Sequence, residues 1–323
     1  MLVSWQRVRA NTMTEPRKND RPNGWSSDSL WSSAGIAQQD FPPGLYVVAT
    51  PLGNAADITL RALWVLRLVD FVAAEDTRNT APLLARYGIN ARLLALHEHN
   101  EARAGAQILE HLAHGQRVAI VSDAGTPAIC DPGALVVRAA LAAGVRVIPV
   151  PGASSLTAAL CAAGVRAGPI RFWGFVPARA AARQRQWTEL GSEEVAVLFE
   201  VPHRVVATAR ELGSVLEPAR RVVVLRELTK RFESIAATTA AELPALIEAA
   251  PPRGEYVLVI DAAGARRTGS AQHPAAVDAL TARWLSALRK ELPASRAAAV
   301  AAKVSGLPRA VLYRALSSES EDD

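Results

Sequence analysis

From residue 44 to residue 260 the chain alternates short apolar runs with amphipathic or Ala-rich segments. Residues 44–50 (GLYVVAT) and 118–121 (VAIV) are apolar without alternation, which suits strands buried on both faces of a parallel sheet. The pattern predicts strands at 44–50, 70–74, 91–96, 118–121 and in the run ending at Pro149. Helices are predicted over 60–69, 80–87 and 102–114, with another opened by Asp131-Pro132-Gly133 and stopped at Gly144. Repeated βα alternation of this kind marks an α/β domain with a largely parallel sheet.

The second half is more strand-rich and less regular. Helices are expected at 154–163, 178–187, 205–216 and 241–249, and strands at 169–177, 195–201, 221–227, 234–239 and 256–260. An Ala/Gly/Arg/Ser/Pro-rich stretch then precedes three helical segments, 277–291, 295–304 and 308–317. Ser305-Gly306-Leu307-Pro308 turns between the last two, as in a helix-turn-helix pair. The expected organisation is a disordered extension (1–40, with Trp5, Trp25 and Trp31) and two α/β domains (41–160 and 161–262). A linker (263–276), a helical domain (277–317) and an acidic tail (318–323) complete it.

Composition narrows the class. The chain has 323 residues, half of them apolar, and no apolar run near the length of a membrane span. Cys130 and Cys161 are too few for a disulfide framework and fit a reducing cytoplasm. No apolar signal segment opens the chain, so export is not expected. The net charge of +5 is compatible with a polyanionic partner, but a solvated basic surface is the commoner explanation of so modest an excess.

Candidate chemistry gathers at strand ends. Ser122-Asp123-Ala124-Gly125-Thr126-Pro127 and Pro149-Val150-Pro151-Gly152 follow strands roughly 30 residues apart, one βαβ unit, and ligands of open parallel sheets bind beyond such ends. Gly125 permits close backbone approach, Asp123 supplies a carboxylate, and Ser154 and Ser155 can cap a helix. Charged clusters end five strands: Glu75/Asp76/Arg78, His97/Glu98/His99, Asp123, Glu200/His203/Arg204 and Glu227/Lys230/Glu233. Together they predict one polar cleft between two domains. No G-x-G-x-x-G or Walker A sequence supports a dinucleotide or nucleotide site. His97 and His99, two apart on a loop without a third ligand, are not read as a metal site.

Taken together, ATPLGNAADIT (49–59), AAEDTR (73–78), HEHNE (97–101), SDAGTPAICDPG (122–133), IPVPGASSLTAAL (148–160), GFVP (174–177), FEVPHR (199–204), RELTKRFE (226–233) and GEYVLVI (254–260) resemble the tetrapyrrole-methylase superfamily. The resemblance covers roughly residues 44–316 and is strongest to the branch that methylates a ribose 2′-oxygen of 16S rRNA. It implies two α/β domains with S-adenosyl-L-methionine in the cleft between them, a small C-terminal helical domain, and a homodimer. The implied substrate is a decoding-centre cytidine, cytidine 1402, of 16S rRNA within the 30S subunit. It places the cofactor against Leu52, Gly53 and Asn54, against Asp123, Gly125, Thr126 and Pro127, against Ser154 and Ser155, and near Leu198 and Phe199. Cys130 stands where the pattern usually has Ser, which argues against an essential hydroxyl there.

For such a reaction Glu75, Glu200, Glu227 and Glu233 are candidate bases. Lys230 is a candidate for stabilising an alkoxide or holding a phosphate, and Arg78 and Arg204 suit phosphate contacts. RNA contacts are expected from Arg179, Arg183, Arg185, Arg204, Arg220, Arg221 and Arg231, with Lys303, Arg309 and Arg314 in the helical segment. Salt bridges among these groups are the competing reading for each. The rival functions are a precorrin or uroporphyrinogen C-methyltransferase and a non-catalytic RNA-binding assembly factor.

Overall fold

The computed structural model describes residues 32–36, 39–165, 168–263, 279–305, 307 and 309–318. Trp5, Trp25 and Trp31, the linker beyond residue 263, the tail beyond 318 and the side chain of Arg314 lie outside the described residues. The chain divides into two compact units, Met1–Gly264 and Ala265–Asp323.

The first unit carries two five-stranded sheets. Strands β1 (Gly44–Val48), β2 (Phe71–Ala74), β3 (Leu93–Ala95), β4 (Arg117–Val121) and β5 (Val147–Val150) form an all-parallel sheet in the order β3-β2-β4-β1-β5. Helices α1 (Leu60–Leu68) and α2 (Thr77–Arg86) contribute to the core on one face, and α3 (Glu101–Ala113) and α4 (Ala134–Ala142) to that on the other. Val48, Ala73, Ala119 and Ile120 are at most 1% exposed, as a sheet covered on both sides requires.

The second sheet is mixed. Strands β6 (Ile170–Phe175) and β7 (Val195–Glu200) pair in parallel. β8 (Arg221–Arg226) and β10 (Tyr256–Ile260) are antiparallel neighbours, and β9 (Ser234–Thr239) pairs antiparallel with β8 at the edge. Helices α6 (Ala180–Thr188), α7 (Pro202–Val215) and α8 (Leu243–Glu248) help form the core on one face. Helix α5 (Ser155–Ala163) packs on the other through Ala159 and Ala163. The division read at residue 160 therefore falls inside a helix that belongs to the second sheet. The chain crosses over in the loop Pro151–Ser154.

Local chemistry sets the helix starts. The Asp76 side chain accepts the Arg78 N–H, so α2 begins at Thr77, three residues before the start read from periodicity. Pro202 opens α7 in the first turn, where its missing N–H costs nothing. Helix α4 follows Gly133, which has no side chain to cap with. Glu101, from the start of α3, supplies the cap instead: its Oε1 accepts the N–H groups of Gly133 (2.9 Å) and Leu135 (3.0 Å).

In the second unit α9 (Ala279–Glu291), α10 (Ala294–Ser305) and α11 (Arg309–Ser318) pack around Leu285, Ala297, Ala298, Ala301, Leu312 and Leu316. Leu307 N–H is held by the Ser305 hydroxyl in the turn between the last two. Among the described residues, no helix is long and apolar enough to cross a membrane.

Replacing Glu101 with Ala should lower unfolding free energy by about 0.5–2 kcal/mol in urea denaturation, the usual cost of a lost helix cap. Ligand affinity at the cavity described next should remain close to wild type.

Candidate active site

Strand register brings the site together. Ala74 lies beside Val121, so Glu75 and Ser122-Asp123 emerge side by side from the sheet. Val48 lies beside Val150, which sets the turn after β1 against Pro151-Gly152. A bridge between Thr50 and Gly125 ties the β1 and β4 loops, with N–H to O distances of 2.8 and 3.0 Å in the two directions. The Thr126 hydroxyl donates to Ala153 O, tying in the β5 loop. Gly125 has φ +84°, and an added Cβ would press on Leu52 Cδ2 at 3.1 Å.

On the second sheet Arg226 lies opposite Tyr256, so Glu227 and Glu255 meet where the strands leave the ladder. Lys230 Nζ donates to Glu227 Oε1 (3.0 Å) and to Glu255 Oε2 (2.9 Å). Burial acts to lower the ammonium's pKa, but the hydrogen bonds to Glu255 and Glu227 prevail and it is raised. The Lys230 stem lies over Gly53, where any Cβ would collide with its Cγ, and the Glu227 side chain likewise fills the space a Cβ on Gly254 would need. Asn54 N–H donates to the Thr229 hydroxyl at 3.2 Å. Among the described residues, three non-glycine residues take positive φ, Ala128 (64°), Glu227 (53°) and Thr229 (64°), and all three sit in these loops. Backbone strain of this kind gathers where a site fixes its own geometry.

These loops enclose a cavity of about 430 Å³. Leu52, Leu156, Phe199, Leu225, Leu228 and Val257 give it an apolar side. Its charged lining residues are Glu75, Asp123, Asp131, Glu200 and Glu255, and among the described residues no Lys, Arg or His lines it. Asp123 is held rigidly: its carboxylate accepts Asp76 N–H (3.2 Å) and Asn79 Nδ2 (2.7 Å), and its own N–H donates to Glu75 (3.3 Å). Burial raises the Glu75 pKa against the Asp123 N–H, with the charges of Asp123 and Asp76 adding to the rise. Asp131 is pushed up to about 6, first by burial and then by the charge of Glu75.

Of the residues expected at a cofactor, Leu52, Asp123, Gly125, Thr126, Ser154, Ser155 and Phe199 line the cavity. Gly53 and Asn54 sit behind it, in contact with the Lys230 turn. Leu198 does not line it: strand alternation turns its fully buried side chain into the opposite core with Val176 and Trp187. Pro127 is buried in the loop and supports it.

The candidate bases separate sharply. Glu200 is 1% exposed and saturated. Oε1 accepts Val201 N–H and the Arg204 guanidinium (3.0 Å to Nε), and Oε2 accepts the Thr208 hydroxyl (2.5 Å). It anchors α7, and Arg204 is spent on it rather than on a phosphate. Glu233 accepts Thr229 N–H at 2.6 Å and closes the Lys230 turn. Glu227 is engaged by Lys230 and by Glu255 N–H. Glu75 and Asp131 remain. In the sequence Asp131 reads only as a helix opener; a carboxylate in a Pro/Gly turn gives no hint of its neighbours.

The arginines divide similarly. Arg183 grips Glu211 (2.8 Å) and the carbonyls of Pro177 and Ala178. Arg220 is 6% exposed and holds the carbonyls of Asp261, Gly191 and Glu194, and Arg221 holds Asp261 and Ala163 O. These are structural. Arg179, Arg185 and Arg231 are exposed, as are Lys303 and Arg309 in the second unit. Arg78 is 88% exposed and forks onto Asp76, whose carboxyl it holds down at about 2. His97 and His99 stand on the α3 approach, and among the described residues no group of three or more His, Cys, Asp or Glu is placed to hold a metal ion.

Residues 44–244 match the family described as Tetrapyrrole (Corrin/Porphyrin) Methylases, and residues 275–319 match the RsmI C-terminal HTH domain. The methyltransferase CobJ has the same fold: TM-score 0.53, 20% identity, 70% of this chain and 97% of that one covered. The fold is thus that of a tetrapyrrole methylase. Curated relatives include the ribosomal RNA small subunit methyltransferase I of Xylella fastidiosa, 42% identical over 84% of this chain and 98% of the relative. The protein of the same name from Escherichia coli O157:H7 is 43% identical, over 84% and 93%. The chain belongs to the ribosomal RNA small subunit methyltransferase I family of tetrapyrrole methylases.

Glu200→Ala would strand Arg204 and the buried Thr208 hydroxyl. It should cost about 3 kcal/mol or more of stability, the usual penalty for removing one partner of a buried ion pair, and show as a lowered Tm. A catalytic defect at unchanged Tm would instead return Glu200 to the list of bases.

Proposed function

We propose that this chain transfers a methyl group from S-adenosyl-L-methionine to the ribose 2′-oxygen of a cytidine in 16S rRNA, cytidine 1402, within the 30S subunit and as a homodimer. One observation carries the donor: the charged side chains of the cavity wall are all carboxylates. Such a wall favours a ligand bearing a sulfonium and an ammonium, and repels phosphates. Its volume falls within the range of roughly 300–1,000 Å³ that suits a ligand of this size, and its apolar side suits a purine. The names of the relatives support ribosomal RNA as acceptor.

Leu52, Gly125, Thr126, Ser154, Ser155 and Phe199 would hold the donor, with Asp123 on its polar groups and Gly53, Asn54 and Pro127 behind. The donor brings a methyl carbon already activated by positive sulfur. The protein's task is alignment and proton removal, and alignment alone can supply several kcal/mol of a barrier. RNA phosphates would stay outside the acidic cavity, on Arg179, Arg185 and Arg231. Lys230, fixed between Glu227 and Glu255, is a positioning residue that keeps the Gly53 loop closed.

Methyl-labelled donor should be offered with unmodified 30S subunits, naked 16S RNA and a tetrapyrrole precursor. Label in 2′-O-methylcytidine from 30S subunits is expected, and label in the tetrapyrrole would replace this reading. Asp123→Asn should weaken donor affinity by about tenfold or more in calorimetry, since hydrogen bonds to charged groups contribute about 1.5–3 kcal/mol. Lys230→Ala should lose methyl transfer while still binding donor; unchanged turnover would remove it from the mechanism. Arg231→Ala should weaken RNA binding and reduce the salt slope by about 1, as for one lost phosphate contact.

A further inference from the structure

A 2′-hydroxyl must lose its proton as it is methylated, and most carboxylates of the cavity already have partners. Glu200 is held by Arg204 and Thr208, Glu255 by Lys230, and Asp123 by Asp76 N–H and Asn79. Glu75 is occupied by Asp123 N–H. Asp131 lines the cavity with only the Ser122 hydroxyl favouring its anion, and among the described residues no cation stands against it. Its place is also fixed from behind. The next turn is pinned by Glu101 through Gly133 N–H and Leu135 N–H, and Gly133 sits against Ile120.

We propose that Asp131 is the catalytic base that takes the proton from the attacking hydroxyl, an inference that rests on the methyl-transfer reading above. The O–H bond breaks toward the Asp131 carboxylate, and its electron pair forms the oxygen–carbon bond. The carbon–sulfur bond of the methylsulfonium donor breaks with its pair left on sulfur, giving a thioether. The protonated Asp131 then releases its proton to solvent.

The groups facing Asp131 explain why it suits this role. Glu75 at the end of β2, Asp123 at the end of β4 and Glu255 before β10 all disfavour its charged form, as does burial; the Ser122 hydroxyl favours it. Next to it, the Cys130 thiol is raised, first by burial and then by the charge of Asp131, so it stays a neutral neighbour. The outcome, near 6, leaves the base ionised at neutral pH yet far more basic than a solvated carboxylate.

The experiment compares wild type with Asp131→Asn, Asp131→Glu and Ser122→Ala. It follows methyl transfer to 30S subunits against pH, S-adenosylhomocysteine affinity by calorimetry, and the side-chain carboxyl resonance of ¹³C-Asp-labelled protein. In wild type, kcat/KM should fall below about pH 6 together with the titration of one carboxyl. Asp131→Asn should lose that resonance and about 10²–10⁴-fold in rate, with product affinity within about threefold of wild type. Asp131→Glu should recover part of the rate. Ser122→Ala, which removes the bond favouring the anion, should move the acid limb and the resonance to higher pH, and it decides the matter if Asp131→Asn does not fold. Wild-type rates in Asp131→Asn, or an acid limb that Ser122→Ala leaves in place, would overturn the inference alone. A wild type that labels no RNA would overturn the methyl-transfer reading and this inference with it.

Discussion

Like charges in one small space are the constraint on which this fold depends. Four acidic side chains, Glu75, Asp123, Asp131 and Glu255, surround a cavity with no cationic side chain among its described walls, and the Glu200 carboxylate is buried in the core behind it. All of the cavity's acidic residues but Asp131 are held by a cation or a backbone N–H. Lys230 does this behind Glu255, Arg204 behind Glu200, and backbone N–H groups behind Asp123 and Glu75. The cations stand behind the wall, so the negative potential faces the interior. A cationic ligand relieves the repulsion, whereas an anion would add to it.

That arrangement explains the strained backbone. Glu227 and Thr229 adopt left-handed conformations because the turn must return Lys230 onto Glu227 while closing under Glu233. Gly53 and Gly254 are the complementary absences, two positions where the Lys230 and Glu227 side chains fill the space of a Cβ. A chain that only needed a turn here would not need both.

Most of the fold is legible in the sequence because the signals are local. Apolar runs, Gly stops and Pro/Asp starts place the parallel strands, and the alternation of strand and helix determines the layering. What escaped was non-local. Sequence shows Glu200 and Arg204 four apart but not that Thr208 completes the cage and silences the carboxylate. It shows a run of arginines but not that Arg183, Arg220 and Arg221 are spent on Glu211, Asp261 and main-chain carbonyls. Glu101 reads only as the last residue of the HEHNE motif, when its partners are two N–H groups over thirty residues away. Asp131 is the converse case. Its significance comes from Glu75, Asp123 and Glu255, which arrive from three other segments.

The junction between the β1 loop and the Lys230 turn has a thermodynamic consequence. Gly53 lies under the Lys230 stem and Asn54 donates to Thr229, so a loop of the parallel sheet and a loop of the mixed sheet share one set of contacts. Neither loop can reorganise without disturbing the other. Whatever orders the inner side of this junction also orders the outer side, where Arg231 and Phe232 are exposed. The two loops are therefore one mechanical unit, with the Lys230 stem laid over Gly53 as the contact they share.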